Sequence, residues 1–172
     1  MSEVTIRRMT AEDVQAVWAI ENATFPTPWS LRDFEHEMRE NPCARYLVAV
    51  KEDQIIGFAG IHIILDEGHI TNIAITQEER GHGVGRMLAT ALMQYASNLG
   101  VSYVTLEVRE NNEPAKSLYK SLGFFKVGVR KKYYEGQIDA HVMVTDKMPP
   151  PDPDFTEAET AYEDEEEPQN SI

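Results

Sequence analysis

Cysteine is almost absent: Cys43 is the single one in 172 residues. An internal disulfide is therefore excluded, and the five histidines have no cysteines with which to build a zinc-finger spacing. Long apolar runs are missing too. The longest, Ile55 to Leu65, is about half of the roughly 20 residues that a bilayer requires. Met1 to Met9 carries charges at every few positions and no apolar core of a secretion signal. These absences predict a protein of a reducing, cytoplasmic compartment, without membrane association and without a metal centre. Basic residues are lacking altogether after Pro151.

What is present is the composition of one ordinary globular domain, 42% hydrophobic and 26% charged. The net charge of −13 is uneven, because nine of the 29 acidic residues follow Pro151. The remainder, 20 acids against 16 bases, is close to balanced at −4. Residues 149–172 hold five prolines, the acidic run Glu163 to Glu167 and few large apolar side chains. Such a segment cannot bury enough surface to offset its ordering entropy. The expected division is a folded domain over 1–148 and a disordered acidic tail over 149–172, solubilising or docking to a basic partner.

In the body, hydrophobic periodicity predicts a strand at Val4 to Arg8 and a helix opened by Thr10 and Asp13. A two-proline loop, Phe25-Pro26-Thr27-Pro28-Trp29, leads to a second helix capped by Ser30 and stopped by Asn41-Pro42. Tyr46 to Val50 and Ile55 to Leu65 read as a hairpin, and His69 to Ile75 as a further strand. Apolar spacing from Val84 to Leu99 predicts a long helix ended by Gly100. Val101 to Val108 is a strand, and a short helix from Glu113 to Leu122 follows with Asn112 as its N-cap. Phe124 to Tyr133 and Ala140 to Val144 close the chain as strands. One sheet with intervening helices, an α/β or α+β domain, is the predicted class.

The densest signal is Arg80-Gly81-His82-Gly83-Val84-Gly85-Arg86, between a strand and the start of a helix. Glycines let backbone N–H groups approach a ligand, and a helix N-terminus favours an anion, so a pyrophosphate fits. A tight turn without a ligand accounts for the glycines but not for both arginines. The loop lacks the Gly-Lys-Ser/Thr ending of a P-loop and the third glycine of a dinucleotide fingerprint. Alternation in Val101 to Val108 puts Glu107 on the face opposite Val104, Leu106 and Val108. By itself that describes a solvated outer-face carboxylate. Tyr119, among Ala115, Leu118 and Leu122, reads by spacing as a core tyrosine. His62, His69, His82 and His141 are scattered, and none is read as a ligand or a base.

Arg80 to Gly85 resembles the Gln/Arg-x-x-Gly-x-Gly/Ala signature of the GNAT acetyltransferase superfamily. Asn72-Ile73-Ala74-Ile75, Leu106-Glu107-Val108-Arg109-Glu110-Asn111-Asn112 and Ser117-Leu118-Tyr119-Lys120-Ser121-Leu122-Gly123-Phe124 are similar to its other motifs, in the same order. Phe25 to Ser30 and Tyr133-Tyr134 with Asp139-Ala140 narrow the resemblance to the RimI type, the bacterial ribosomal-protein-alanine N-acetyltransferases. It spans residues 4 to about 147.

The resemblance implies a mostly antiparallel central sheet flanked by helices and splayed between its fourth and fifth strands. It implies acetyl-CoA as co-substrate, no metal, and a cofactor site made by Ile73, Ala74, Ile75, Arg80, Gly81, His82, Gly83, Val84, Gly85, Arg86 and Asn112. The Ile75 N–H is the implied oxyanion donor. Glu107 is implied as general base and Tyr119 as general acid, with Phe25 to Trp29 and Tyr133-Tyr134 flanking the acceptor and Glu21 adding a charge. The implied acceptor is the N-terminal alanine of the eighteenth small-subunit ribosomal protein. No direct nucleic-acid binding and a monomer or weak dimer are expected, while Arg130-Lys131-Lys132 is either a solvated edge or a steering patch. A broader N-terminal acetyltransferase and a non-catalytic CoA-binding domain are the alternatives.

Overall fold

The computed structural model describes residues 3–155. Seven strands form one sheet: β1 (Val4–Arg8), β2 (Ala44–Lys51), β3 (Gln54–Ile64), β4 (Glu67–Ile75), β5 (Tyr103–Arg109), β6 (Phe125–Tyr134) and β7 (Ile138–Thr145). Their spatial order is β1-β2-β3-β4-β5-β7-β6, and every neighbouring pair is antiparallel except β4 with β5. Among the described residues four α-helices cover the two faces: α1 (Val14–Thr24), α2 (Leu31–Glu40), α3 (Val84–Asn98) and α4 (Glu113–Ser121).

Local chemistry fixes the helix ends where the sequence places them. Ser30 Oγ accepts the Asp33 N–H at 3.1 Å at the start of α2, and Asn112 Oδ1 accepts the Ala115 N–H at 3.2 Å at the start of α4. Ahead of α1 the chain makes a short 3-10 turn, Ala11–Asp13, whose Asp13 carboxylate takes the Thr10 N–H and pairs with Arg7. Burial pushes the Asp13 carboxyl upward, but the bonds from Arg7 and Thr10 outweigh it and hold it below its ordinary value.

The central strands β2 and β3 are buried on both faces, so their residues are apolar almost without interruption. One face packs Leu47, Ile61, Leu106 and Met143 against Leu88 and Leu92 of α3. The other packs Val48 and Phe58 against Val17 of α1 and Phe34 of α2. Among the described residues no helix is long and apolar enough to cross a membrane.

Contacts with the domain continue past the boundary expected at 148. Pro149 to Phe155 lies along α3, where Ser97 Oγ donates to the Pro149 carbonyl and Gln94 Nε2 to that of Pro150 at 2.9 Å. Asn98 bonds both backbone groups of Asp152, at 2.9 and 2.8 Å, and Phe155 packs against the core. The cause is polar: backbone groups of Pro149, Pro150 and Asp152 meet the amide and hydroxyl side chains of Gln94, Ser97 and Asn98 on one helix face, which no hydrophobic pattern announces. The rest of the expected tail, 156–172, lies outside the described residues.

Candidate active site

The site begins where β4 and β5 part. Their parallel pairing runs only from Glu67–Tyr103 to Ile70–Leu106, and beyond it β4 stays with β3 while β5 stays with β7. The Thr76 N–H bonds the Ile56 carbonyl of β3 at 2.8 Å. Alternation therefore turns the N–H and C=O of Ile75 the other way, toward the opening. Arg80 Nε, bonding the Ile75 carbonyl at 3.0 Å, confirms that direction. Ile73 has the same parity and lines the cavity described below, whereas the Ala74 side chain is buried on the α1–α2 side.

The glycine-rich turn follows at the N-terminus of α3. Gly81 and Gly83 have φ of 82° and 84°, left-handed values that a β-carbon disfavours, and a β-carbon at either would meet nothing within 4 Å. Met87 N–H makes the first helical bond, to the Gly83 carbonyl at 3.0 Å. The N–H groups of Val84, Gly85 and Arg86 thus stand at the helix start without intrahelical partners. The Val84 side chain is buried and anchors the turn, while Arg80, His82 and Arg86 are exposed around it. This open, donor-rich cradle with flanking cations fits a pyrophosphate.

A cavity of ≈ 480 Å³ lies at the opening, lined by Glu107, Asn112, Tyr119, Ile73, the Phe25 to Trp29 loop and Tyr133-Tyr134. The Glu107 side chain is 9% exposed, with His69 Nε2 at 3.0 Å and Arg130 Nε at 3.4 Å from its two oxygens. Burial pushes its carboxyl upward, but the hydrogen bond and charge of His69, helped by Arg130, hold it below the ordinary value. Tyr119 is buried edge-on against Phe124, and that burial, with Tyr134 adding to it, pushes its phenol up to about 12.

Glu21 is buried and accepts the Trp29 N–H at 2.9 Å and Asn72 Nδ2 at 3.0 Å, tying the two-proline loop to β4. Its carboxyl is raised by burial, with those two bonds opposing. Across the cavity mouth, Arg109 forks onto Glu135 at 2.7 and 2.8 Å and lies over the Tyr134 ring.

Comparison with known proteins bears on this geometry. Residues 14–124 match the acetyltransferase (GNAT) family. The chain belongs to this family. It is 40% identical over 133 residues to a Bacillus subtilis (strain 168) relative, covering 77% of this chain and 88% of that one. It is 35% identical over 142 residues to the [ribosomal protein bS18]-alanine N-acetyltransferase of Salmonella typhimurium, covering 81% and 95%. The crystal structure of the ribosomal-protein-S18-alanine N-acetyltransferase from Escherichia coli superposes with a TM-score of 0.76 at 31% identity, covering 83% of this chain and 92% of that one.

As a GNAT acetyltransferase the chain has the fold its motifs imply, a mostly antiparallel sheet that opens between the fourth and fifth strands. Glu107, Tyr119, Asn112 and Ile73 are brought to one cavity, with both loops that the resemblance named. The glycine-rich turn stands apart from that cavity, at the start of α3. Sequence reasoning missed His69 as a partner of Glu107, and no motif marks it. It also left Arg130 undecided between edge and patch, and Arg130 reaches Glu107 while Lys131 and Lys132 bond Asp139.

Proposed function

We propose that this GNAT enzyme transfers the acetyl group of acetyl-CoA to the N-terminal amine of a protein whose first residue is alanine, ribosomal protein bS18. The observation that carries the reading is the meeting of Glu107 and Tyr119 in one cavity, at the point where β4 turns free backbone donors toward β5. The donor would lay its pyrophosphate on the turn from Arg80 to Arg86 and its arm along Ile73 to Ile75, with Asn112 beside it. The acceptor terminus would enter between the Phe25 to Trp29 loop and Tyr133-Tyr134. Relatives named for bS18 alanine support the choice of acceptor, and such an acceptor belongs to the cytoplasm.

In the reaction, Glu107 takes a proton from the α-ammonium, directly or through a water. The freed nitrogen attacks the acetyl carbonyl carbon, and the Ile75 N–H receives the oxyanion. The C–S bond then breaks, and the second proton of the attacking nitrogen passes to the departing thiolate, leaving a neutral amide and the free CoA thiol. Burial pushes the Tyr119 phenol up to about 12, above the ordinary range of a thiol, so the phenol keeps its proton while the sulfur departs. Its part is therefore a hydrogen bond given to the sulfur as charge develops there. Release of free CoA thiol tests the reading: it should require both acetyl-CoA and an alanine-first peptide. Binding of acetyl-CoA with no peptide-dependent release would identify a binding domain.

A further inference from the structure

Glu107 is nearly closed from solvent, so a proton it accepts has to leave through a bonded partner or back through the cavity. Two side chains bond it, Arg130 and His69. A guanidinium keeps its protons at any working pH, whereas an imidazole exchanges one near neutrality. Register places His69 there: parallel pairing sets it beside Thr105, and Glu107 is the next residue on that face of β5.

His69 Nδ1 lies 2.8 Å from Thr105 Oγ1 and Nε2 lies 3.0 Å from Glu107, so both ring nitrogens are engaged. With its side chain 37% exposed, the ring is more open to solvent than the carboxylate it holds, at 9%. On its other flank the antiparallel register sets His62 of β3 opposite it, and His62 in turn bonds Glu37 of α2 at 2.5 Å. The groups facing the ring are thus Glu107 and Thr105 from β5 and His62, with Glu37 behind it, from β3. Arg130 from β6 holds the far oxygen of Glu107.

We propose that His69 is a proton relay for Glu107, carrying the proton of the acceptor amine from the closed cavity to bulk water; the proposal rests on Glu107 being the base. The N–H bond of the α-ammonium breaks and the proton joins a Glu107 oxygen. The neutral ring that receives it holds its own hydrogen on Nδ1, donated to Thr105 Oγ1, so the free Nε2 takes the proton from Oε2 and an imidazolium–carboxylate pair results. The partly exposed ring then releases a proton to water and returns to neutral imidazole. No electrons are exchanged, and the net change is one proton moved from amine to solvent. His69 is not among the residues that line the cavity, so it acts as a positioning and relay residue.

The test uses the full chain with acetyl-CoA and an alanine-first peptide, and compares His69→Gln, His69→Ala and Glu107→Gln. Glutamine still donates a hydrogen bond to Glu107 but cannot take its proton. We expect His69→Gln to keep KM for both substrates and to lower kcat about tenfold, less than the about 10²- to 10⁴-fold of losing a base. Its kcat should rise with buffer concentration, and imidazole should restore His69→Ala most. A wild-type kcat in His69→Gln from pH 6 to 9 would overturn the relay. So would a loss in both His69 variants that neither buffer nor imidazole changes, since that marks a shape effect. Glu107→Gln separates the two readings: if it stays active the base assignment fails, and if it is inactive while His69→Gln is normal only the relay fails.

Discussion

Glu107 carries two opposing influences, burial that favours its neutral form and two partners, His69 and Arg130, that favour its charge, and the partners prevail. A carboxylate so held is ionised throughout the neutral range and ready to accept a proton. Glu107→Gln should therefore lower kcat about 10²- to 10⁴-fold at pH 7. Part of the rate should return with rising pH, because the acceptor amine, with a reference pKa near about 8, then loses its proton unaided. Tyr119→Phe should behave differently in the same pH–rate measurement: acetyl-CoA binding survives, kcat falls, and higher pH does not repair it. That pattern marks an interaction made with the leaving sulfur in the transition state. Both residues were legible in the sequence through their motifs, although spacing alone described a solvated glutamate and a core tyrosine. Tyr119 is in fact core and cavity wall at once. His69 was not legible, because its contact with Glu107 depends on the parallel register of β4 on β5.

The elements were legible where local chemistry decides them. Alternation in β5 gives its strict inside–outside burial, and Ser30 and Asn112 cap the helices that follow them. Less legible were the 3-10 turn before α1 and the docking of Pro149 to Phe155, which rest on side chain to backbone bonds with no periodic signal. The glycine-rich turn gives an element-scale prediction. At φ of 84° with open space around it, Gly83 resists a side chain through its backbone, not through crowding. Gly83→Val should rotate the N–H groups at the start of α3 away from their common target. In thermal melts the variant should fold, with most of the stabilisation by acetyl-CoA lost. An unchanged ligand-induced shift would remove this turn from the binding site.

At the scale of the whole molecule, contacts with the folded body continue to Phe155, seven residues beyond the boundary that composition suggested. A chain cut after Met148 loses the bonds to Gln94, Ser97 and Asn98 and the packing of Phe155. At about 1 kcal/mol per hydrogen bond this is a loss of roughly 2–4 kcal/mol, or about 5–10 °C in melting temperature for a domain of this size. A chain cut after Phe155 should melt like the full one, and calorimetry on the two separates the boundaries. The claim that joins residues, elements and fold is that the opened sheet delivers acetyl to a free N-terminal amine. It is tested most directly by incubating the protein with acetyl-CoA and a peptide that begins with free alanine and contains an internal lysine, then locating the acetyl group by fragment mass spectra. Acetylation at the first residue, lost when the amine is blocked, is the result expected; acetylation of the lysine in preference would contradict the account.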